Sequence, residues 1–202
     1  MDDRLDRLFS FFREIDKEKQ IQRRTYLADA SRRENDAEHA WHMAVMAVLL
    51  CEYSNSDIDL LKTVTMLLIH DIVEVDAGDT YAYDEAAKAT QAQREEKAAK
   101  RLFGMLPTDL GEKLMSLWQE FEARETPEAK FARTLDNIQP MMLNDASDGL
   151  AWRENAVRLS QILGRNEHTA QGSEQLWDYA KNRIIKPNIE KGNIIPDADL
   201  EP

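Results

Sequence analysis

From Ala40 to Cys51 the chain reads AWHMAVMAVLLC, with His42 the one polar residue in the run. No glycine or proline interrupts it, and a helix that is apolar on every side belongs in the middle of its domain. Asn35 stands ahead of this run with Glu38 three residues on, the spacing of a capping box, so the helix is expected to begin there. A second segment has the same character: Leu60, Leu61, Val64, Leu67, Leu68 and Val75 recur at helical spacing between Asn55 or Ser56 and about Gly78. Two interior helices need others around them, and the remaining pattern supplies these. An amphipathic helix over 2–19 should turn Leu5, Leu8, Phe9, Phe12 and Ile15 to the core. A charged helix follows over 84–103, and another runs from a first-turn Pro107 to about Ala123. Thr126 caps the next, with Pro127 at its first position, and it passes through Asp136 before Pro140 bends or ends it. Helices near 152–163 and 168–186 complete the set. Residues 20–34 read as irregular, no strand-period alternation or internal repeat is visible, and the segment from about 188 to 202 reads as a loose tail. The expectation is an all-α fold, a compact bundle of about seven or eight helices forming one domain over residues 1–202.

The chemistry-bearing residues lie where they are least expected. His39 and His42 fall in the first apolar segment, and His70, Asp71 and Glu74 fall in MLLIHDIVEV within the second. A carboxylate buried without a partner is costly, so a partner is required. A divalent cation is the economical one, because it takes neutral imidazole nitrogen and carboxylate oxygen together. Neighbouring residues on a helix point about 100 degrees apart, so His70 and Asp71 can share one ion only near a helix end or on a face that the ion straddles. Glu74, four residues beyond His70, falls on the same face. Imidazole plus carboxylate accommodates Mn, Co, Fe, Ni or Zn and does not choose among them. His168, the remaining histidine, opens a polar stretch and reads as surface.

Charge narrows the substrate. The formal net charge is -12, which disfavours a nucleic-acid polymer as partner. Between residues 17 and 33, however, six basic residues face only Glu18 and Asp29, so a small anionic ligand is the better match. A planar guanidinium grips a phosphate with two hydrogen bonds, and Arg23, Arg24, Arg32 and Arg33, with Lys130 further on, are the available cations. The single Cys51 permits no internal disulfide, MDDRLDRLFSFF lacks the basic and apolar regions of a signal peptide, and no apolar run reaches membrane-spanning length. A cytoplasmic protein with no membrane contact is expected.

The order His39, His70-Asp71 and Asp136, set in REND-AEHAWHMA, LLIHDIVEVDAGD and EAKFARTLDNIQPM, resembles the HD-domain superfamily of metal-dependent phosphohydrolases, and within it the small 5'-deoxynucleotidase branch. The resemblance covers about residues 5–146. It implies an HD-type helical domain and a divalent ion held by His39, His70, Asp71 and Asp136. It further implies Glu74 as the acid/base or water-orienting carboxylate beside a catalytic Asp71, and contacts from Arg24, Asp79 and Thr80 to a nucleoside 5'-monophosphate. A homodimer is implied as well, for which helices 84–103 and 168–186 offer surfaces. The family commonly places a tryptophan just after the arginine, where this chain has Thr25 and Tyr26. The alternatives are an HD-type pyrophosphohydrolase, an oxygenase in which His42 recruits a second iron, and a non-catalytic helical protein that binds metal or nucleotide.

Overall fold

The computed structural model describes residues 3–78, 85–198 and 200. Helix α1 (Asp3–Ile15) leads through a tight turn into a two-stranded antiparallel hairpin, β1 (Gln22–Tyr26) and β2 (Arg33–Asn35). Then come α2 (Asp36–Leu50), α3 (Leu60–Ile69), the short α4 (Glu74–Ala77), α5 (Glu85–Gly104), α6 (Thr108–Ala123) and α7 (Pro127–Ala146). The chain closes with α8 (Leu150–Glu154), α9 (Leu159–Arg165), α10 (Glu174–Ala180) and α11 (Lys186–Glu190). The fold is mostly helical, as expected. Among the described residues no helix is long and apolar enough to cross a membrane.

Helix α7 is the axis. Phe131, Ala132 and Leu135 are fully buried against Met43 and Ala47 of α2, Met66 and Leu67 of α3, and Phe121 of α6. Its C-terminal half, with Ile138 and Met141, packs on Trp152, Leu159, Ile162, Ile184 and Ile185. A third apolar group joins Phe11 of α1 to Ile72, Val73, Leu102, Phe103 and Trp118. The site described below sits where these three groups meet.

Local chemistry fixes the elements that carry it. Asn35 caps α2 as expected: its side chain accepts from the Glu38 amide at 2.9 Å while Glu38 returns to the Asn35 amide at 3.1 Å. Asp59 caps α3, and Thr126 caps α7 with Pro127 in its first turn. Gly78 ends the α4 segment with φ +74°, a conformation natural to glycine.

Several expectations are corrected. Residues 20–34 contain the β1–β2 hairpin, which alternation could not reveal because its strands are polar and short. The two apolar helices are not buried all round: Trp41, Val48 and Leu49 on α2 and Leu61 on α3 are exposed. Helix α1 buries Phe11, with Leu8 and Ile15 beside it, and leaves Leu5, Phe9 and Phe12 exposed. The helix expected to run to Gly78 stops at Ile69. Residues 70–73 form tighter turns, with Ile72 N–H on Ile69 O and Glu74 N–H on Asp71 O at 2.8 Å. Pro107 caps α6 from outside instead of starting it. Of the two outcomes weighed for Pro140, a bend and an end, the end is excluded, since α7 continues to Ala146. The expected loose tail is tied down over its first half: Asn188 and Ile194 are fully buried, and Ile195 exchanges backbone hydrogen bonds with Val157 and Leu159.

Candidate metal centre

His39, in the first turn of α2, lies opposite Asp136 and Gln139 on α7. Gln139 donates from Nε2 to Glu34 Oε1 at 2.7 Å, which turns the amide oxygen toward His39. That oxygen lies 2.9 Å from His39 Nδ1, which must therefore carry the proton and donate it. His70 obeys the same logic, because its Nδ1 lies 2.9 Å from the Leu67 carbonyl oxygen. In their neutral forms both imidazoles present a bare Nε2, and both point at one carboxylate oxygen. Asp136 Oδ1 is 3.1 Å from His39 Nε2 and 3.8 Å from His70 Nε2.

Three lone-pair donors are thus gathered within 4.8 Å of one another. Asp71 Oδ2 adds a fourth at 3.0 Å from His70 Nε2, and that buried nitrogen has no hydrogen-bond partner of acceptable geometry. Acceptors facing acceptors in a dry interior repel unless a cation or a proton sits among them. The donor types and the orphaned nitrogen fit a divalent ion. The nitrogen and oxygen set of His39, His70 and Asp136 meets this requirement directly, and Asp71 adjoins it through His70.

The surroundings hold the ligands in place. Asp136 divides its oxygens, giving Oδ2 to Arg133 Nη1 at 2.8 Å and keeping Oδ1 for the imidazoles. Arg133 in turn reaches Glu122 at 3.2 Å and lies over the Phe121 ring, whose other contact is His70 at a centroid distance of 5.0 Å. Arg23 enters from β1 and donates from Nη1 to Asp71 Oδ2 at 2.6 Å and to Asp36 Oδ1 at 3.1 Å. Glu34 lies 3.9 Å from its Nε. Glu74 is buried on the wall of the same cavity.

Electrostatics agree with this arrangement. Burial, together with the charge of Arg23, lowers His39 to about 4 and keeps it neutral. Burial also works against the charged form of His70, but Asp71 and Asp136 outweigh it and raise the metal-free group to about 9. Burial would raise Asp136 too, yet the neighbouring histidines and Arg133 hold it well below the ordinary carboxylate range. Asp36, Glu34 and Glu18 are each pushed up to about 7, burial being the chief cause in all three.

Of the residues singled out from sequence, His39, His70, Asp71, Glu74 and Asp136 come together here. Arg24 lies on the wall of the same cavity with an exposed side chain, whereas Arg23, one residue before it, is the arginine that faces the ligands. Asp79 and Thr80 lie outside the described residues. Tyr26 does not face the cavity: its hydroxyl donates to Glu154 at 3.0 Å and its ring lies under Arg33, so its role is packing. His42 is half-buried, with Nδ1 3.2 Å from Gln139 Nε2. Sequence reasoning missed Gln139 and Arg133, although both stand three residues from Asp136 on its helix. It also missed Asp36 and Glu34, for which a polar loop gave no signal.

A family model described as HD domain matches residues 15–177. The chain belongs to the HD domain family. Its relatives within this family include human 5'-deoxynucleotidase HDDC2, 29% identical over 175 residues that cover 79% of this chain and 84% of the relative. The Danio rerio 5'-deoxynucleotidase HDDC2 is 24% identical over 203 residues, covering 91% of this chain and all of its own. The crystal structure of a predicted metal-dependent phosphohydrolase from Magnetospirillum magnetotacticum is 46% identical, covers 96% of each chain and superposes with a TM-score of 0.90. The family expected from the His39, His70-Asp71 and Asp136 motifs is therefore the one found.

Proposed function

We propose that this HD-domain chain is a metal-dependent 5'-nucleotidase that removes the phosphate from (deoxy)nucleoside 5'-monophosphates. The reading is carried by one observation: two imidazoles, each locked into the Nδ1–H tautomer by a carbonyl oxygen, turn bare Nε2 atoms toward Asp136 Oδ1 inside a cavity. The names of the relatives supply the substrate class.

His39, His70, Asp71 and Asp136 hold the divalent ion in this proposal, with Mn, Co, Fe, Ni and Zn all compatible. When bound, such an ion lowers the pKa of coordinated water and neutralises phosphoryl oxygen charge. The chain's own groups do the rest. Arg23 keeps Asp71 ionised and aimed, because its guanidinium bridges Asp71 and Asp36. Glu74, buried on the cavity wall, holds or gives a proton at its carboxyl oxygen beside the reacting group. Arg24, on the open wall of the cavity, grips the phosphate, and Asp79 with Thr80 contacts the nucleoside. The cavity volume of about 680 Å³ suits a ligand of nucleotide size.

A cytoplasmic homodimer belongs to the same proposal. Exposed Trp41, Val48, Leu49 and Leu61 give it an apolar surface on α2 and α3, in addition to α5 and α10. The test of the function is phosphate release from a panel of ribo- and deoxynucleoside 5'-monophosphates after chelation and re-addition of each metal. Release that requires added metal and favours nucleotides over simple phosphomonoesters supports the assignment. Metal binding with no release from any nucleotide argues for the non-catalytic alternative.

A further inference from the structure

One face of α7 lines the cavity over most of its length. Arg133, Asp136, Asn137, Pro140, Met141 and Asn144 follow at helical spacing, an interval of roughly 16 Å at 1.5 Å per residue. Asp136 belongs to the metal centre. At the Arg133 end the wall is completed by Arg124, the residue that ends α6, and by Arg165, the last residue of α9. Three guanidiniums from three separate segments therefore face one space in a protein whose net charge is -12.

Their partners differ in a telling way. Arg133 is committed to Asp136 and Glu122. Arg124 and Arg165 are both exposed and line the cavity, and neither guanidinium takes a hydrogen bond or an ion pair among the described residues. Two of the buried or half-buried carboxylates nearby are engaged elsewhere: Glu122 with Arg133 and Glu95 with Gln91 at 2.7 Å. The charge of Arg133, followed by burial, pushes the Arg124 guanidinium below its ordinary value against the pull of Glu122 and Asp136. Arg124 is also in the left-handed region at φ 57°, where a residue with a Cβ is disfavoured and glycine is the usual C-terminal residue. Unpaired like charges brought together around a cavity are destabilising unless an anion joins them.

We propose that Arg124 and Arg165, with Arg133 behind them, form a second anion subsite of the catalytic cavity, which takes a phosphate group other than the one hydrolysed. The occupant is a phosphate dianion, either the second phosphate of a nucleotide that carries two or a free inorganic phosphate. That another phosphate is hydrolysed in the same cavity rests on the phosphohydrolase reading; the subsite itself rests on the arginines.

The test is calorimetric titration of inorganic phosphate into the full chain stripped of metal by chelation. The wild-type protein should bind phosphate. Replacing both arginines, R124A/R165A, should weaken binding by at least about tenfold, since a hydrogen bond to a charged group contributes more than one such factor. The single variant R165A, with a wild-type melting profile as its control for folding, should show an intermediate loss. Unchanged affinity in R124A/R165A, or no binding by the wild type, overturns the proposal. Because no turnover is measured, these outcomes are independent of whether the chain is a nucleotidase. Two further arms on the metal-loaded enzyme separate the sources. If the anion is part of the substrate, kcat/KM for a nucleoside 3',5'-bisphosphate exceeds that for the 5'-monophosphate, and R124A/R165A abolishes the difference. If it is free phosphate, the two substrates are equal and added phosphate inhibits wild type more than R124A/R165A.

Discussion

Gln139 ties the metal centre to its protein surroundings, and replacing it with leucine tests whether the imidazole tautomers are set as described. Its oxygen accepts from His39 Nδ1 at 2.9 Å and its nitrogen donates to Glu34 Oε1 at 2.7 Å, all three residues being essentially inaccessible to solvent. Leucine fills nearly the same volume but leaves the His39 N–H and the Glu34 carboxyl without that partner. Each buried group so stranded costs about 1 to 3 kcal/mol. His39 recovers part of this cost by turning its ring or changing tautomer, which withdraws Nε2 from Asp136. Loss of an outer partner of a metal-bound histidine weakens metal affinity by about 10- to 100-fold, equivalent to roughly 1.4 to 2.8 kcal/mol. Competition against a chromophoric chelator measures that affinity, with Co as the probe and far-UV circular dichroism as the folding control. The Gln139→Leu chain should fold, melt at a lower temperature and bind Co at least tenfold more weakly. A folded variant whose Co affinity lies within about threefold of wild type would refute the tautomer argument.

The other expected outcomes are simpler. In the metal-free chain His70 is raised to about 9, above its value in an unfolded chain, so its contribution to stability is full below about 6.5 and disappears as pH rises through about 9. Metal has to displace that proton, so Co affinity should rise about tenfold per pH unit up to about 9 and then level off; a flat profile from pH 6.5 to 9 would exclude the protonated His70. Arg24→Ala should raise KM and lower kcat with metal content intact, at a cost of about 1.5 to 3 kcal/mol, whereas unchanged kinetics would place the phosphate grip elsewhere. Arg23→Ala should instead destabilise the fold by about 3 to 5 kcal/mol, because Asp71 and Asp36 lose a buried partner; a wild-type melting temperature would contradict this. Light scattering at micromolar protein should give the mass of a dimer, and Leu61→Glu should shift it toward the monomer.

Much of the site was legible because it breaks a rule. Histidines and carboxylates inside AEHAWHMAVMAVLLC and MLLIHDIVEV conflict with apolar helices, and that conflict marks His39, His70, Asp71 and Glu74 without any alignment. The capping residues Asn35 and Thr126 were equally readable, since each acts within four residues of itself. What escaped depends on long-range contact. Arg23 and Asp71 are 48 positions apart, and His39 and Gln139 are 100 apart, so no local pattern joins them. The hairpin escaped because its strands carry arginines and glutamate that pair with the centre instead of alternating between core and solvent. The break after Ile69 escaped because Ile72 and Val73 continue the apolar pattern while the backbone tightens beneath them. Trp41, Leu49 and Leu61 misled in the opposite sense: hydrophobicity on every face was read as burial, whereas those side chains are exposed.

The account stands or falls on whether His39, His70, Asp71 and Asp136 together hold a catalytic ion. Metal content and phosphate release measured in the same samples decide it, after loading with Co, removal of excess metal and addition of a nucleoside 5'-monophosphate. Wild-type chain should retain about one ion per chain and release phosphate, and His70→Ala and Asp136→Asn should lose both together. Stoichiometric Co with full turnover in either variant would contradict the account.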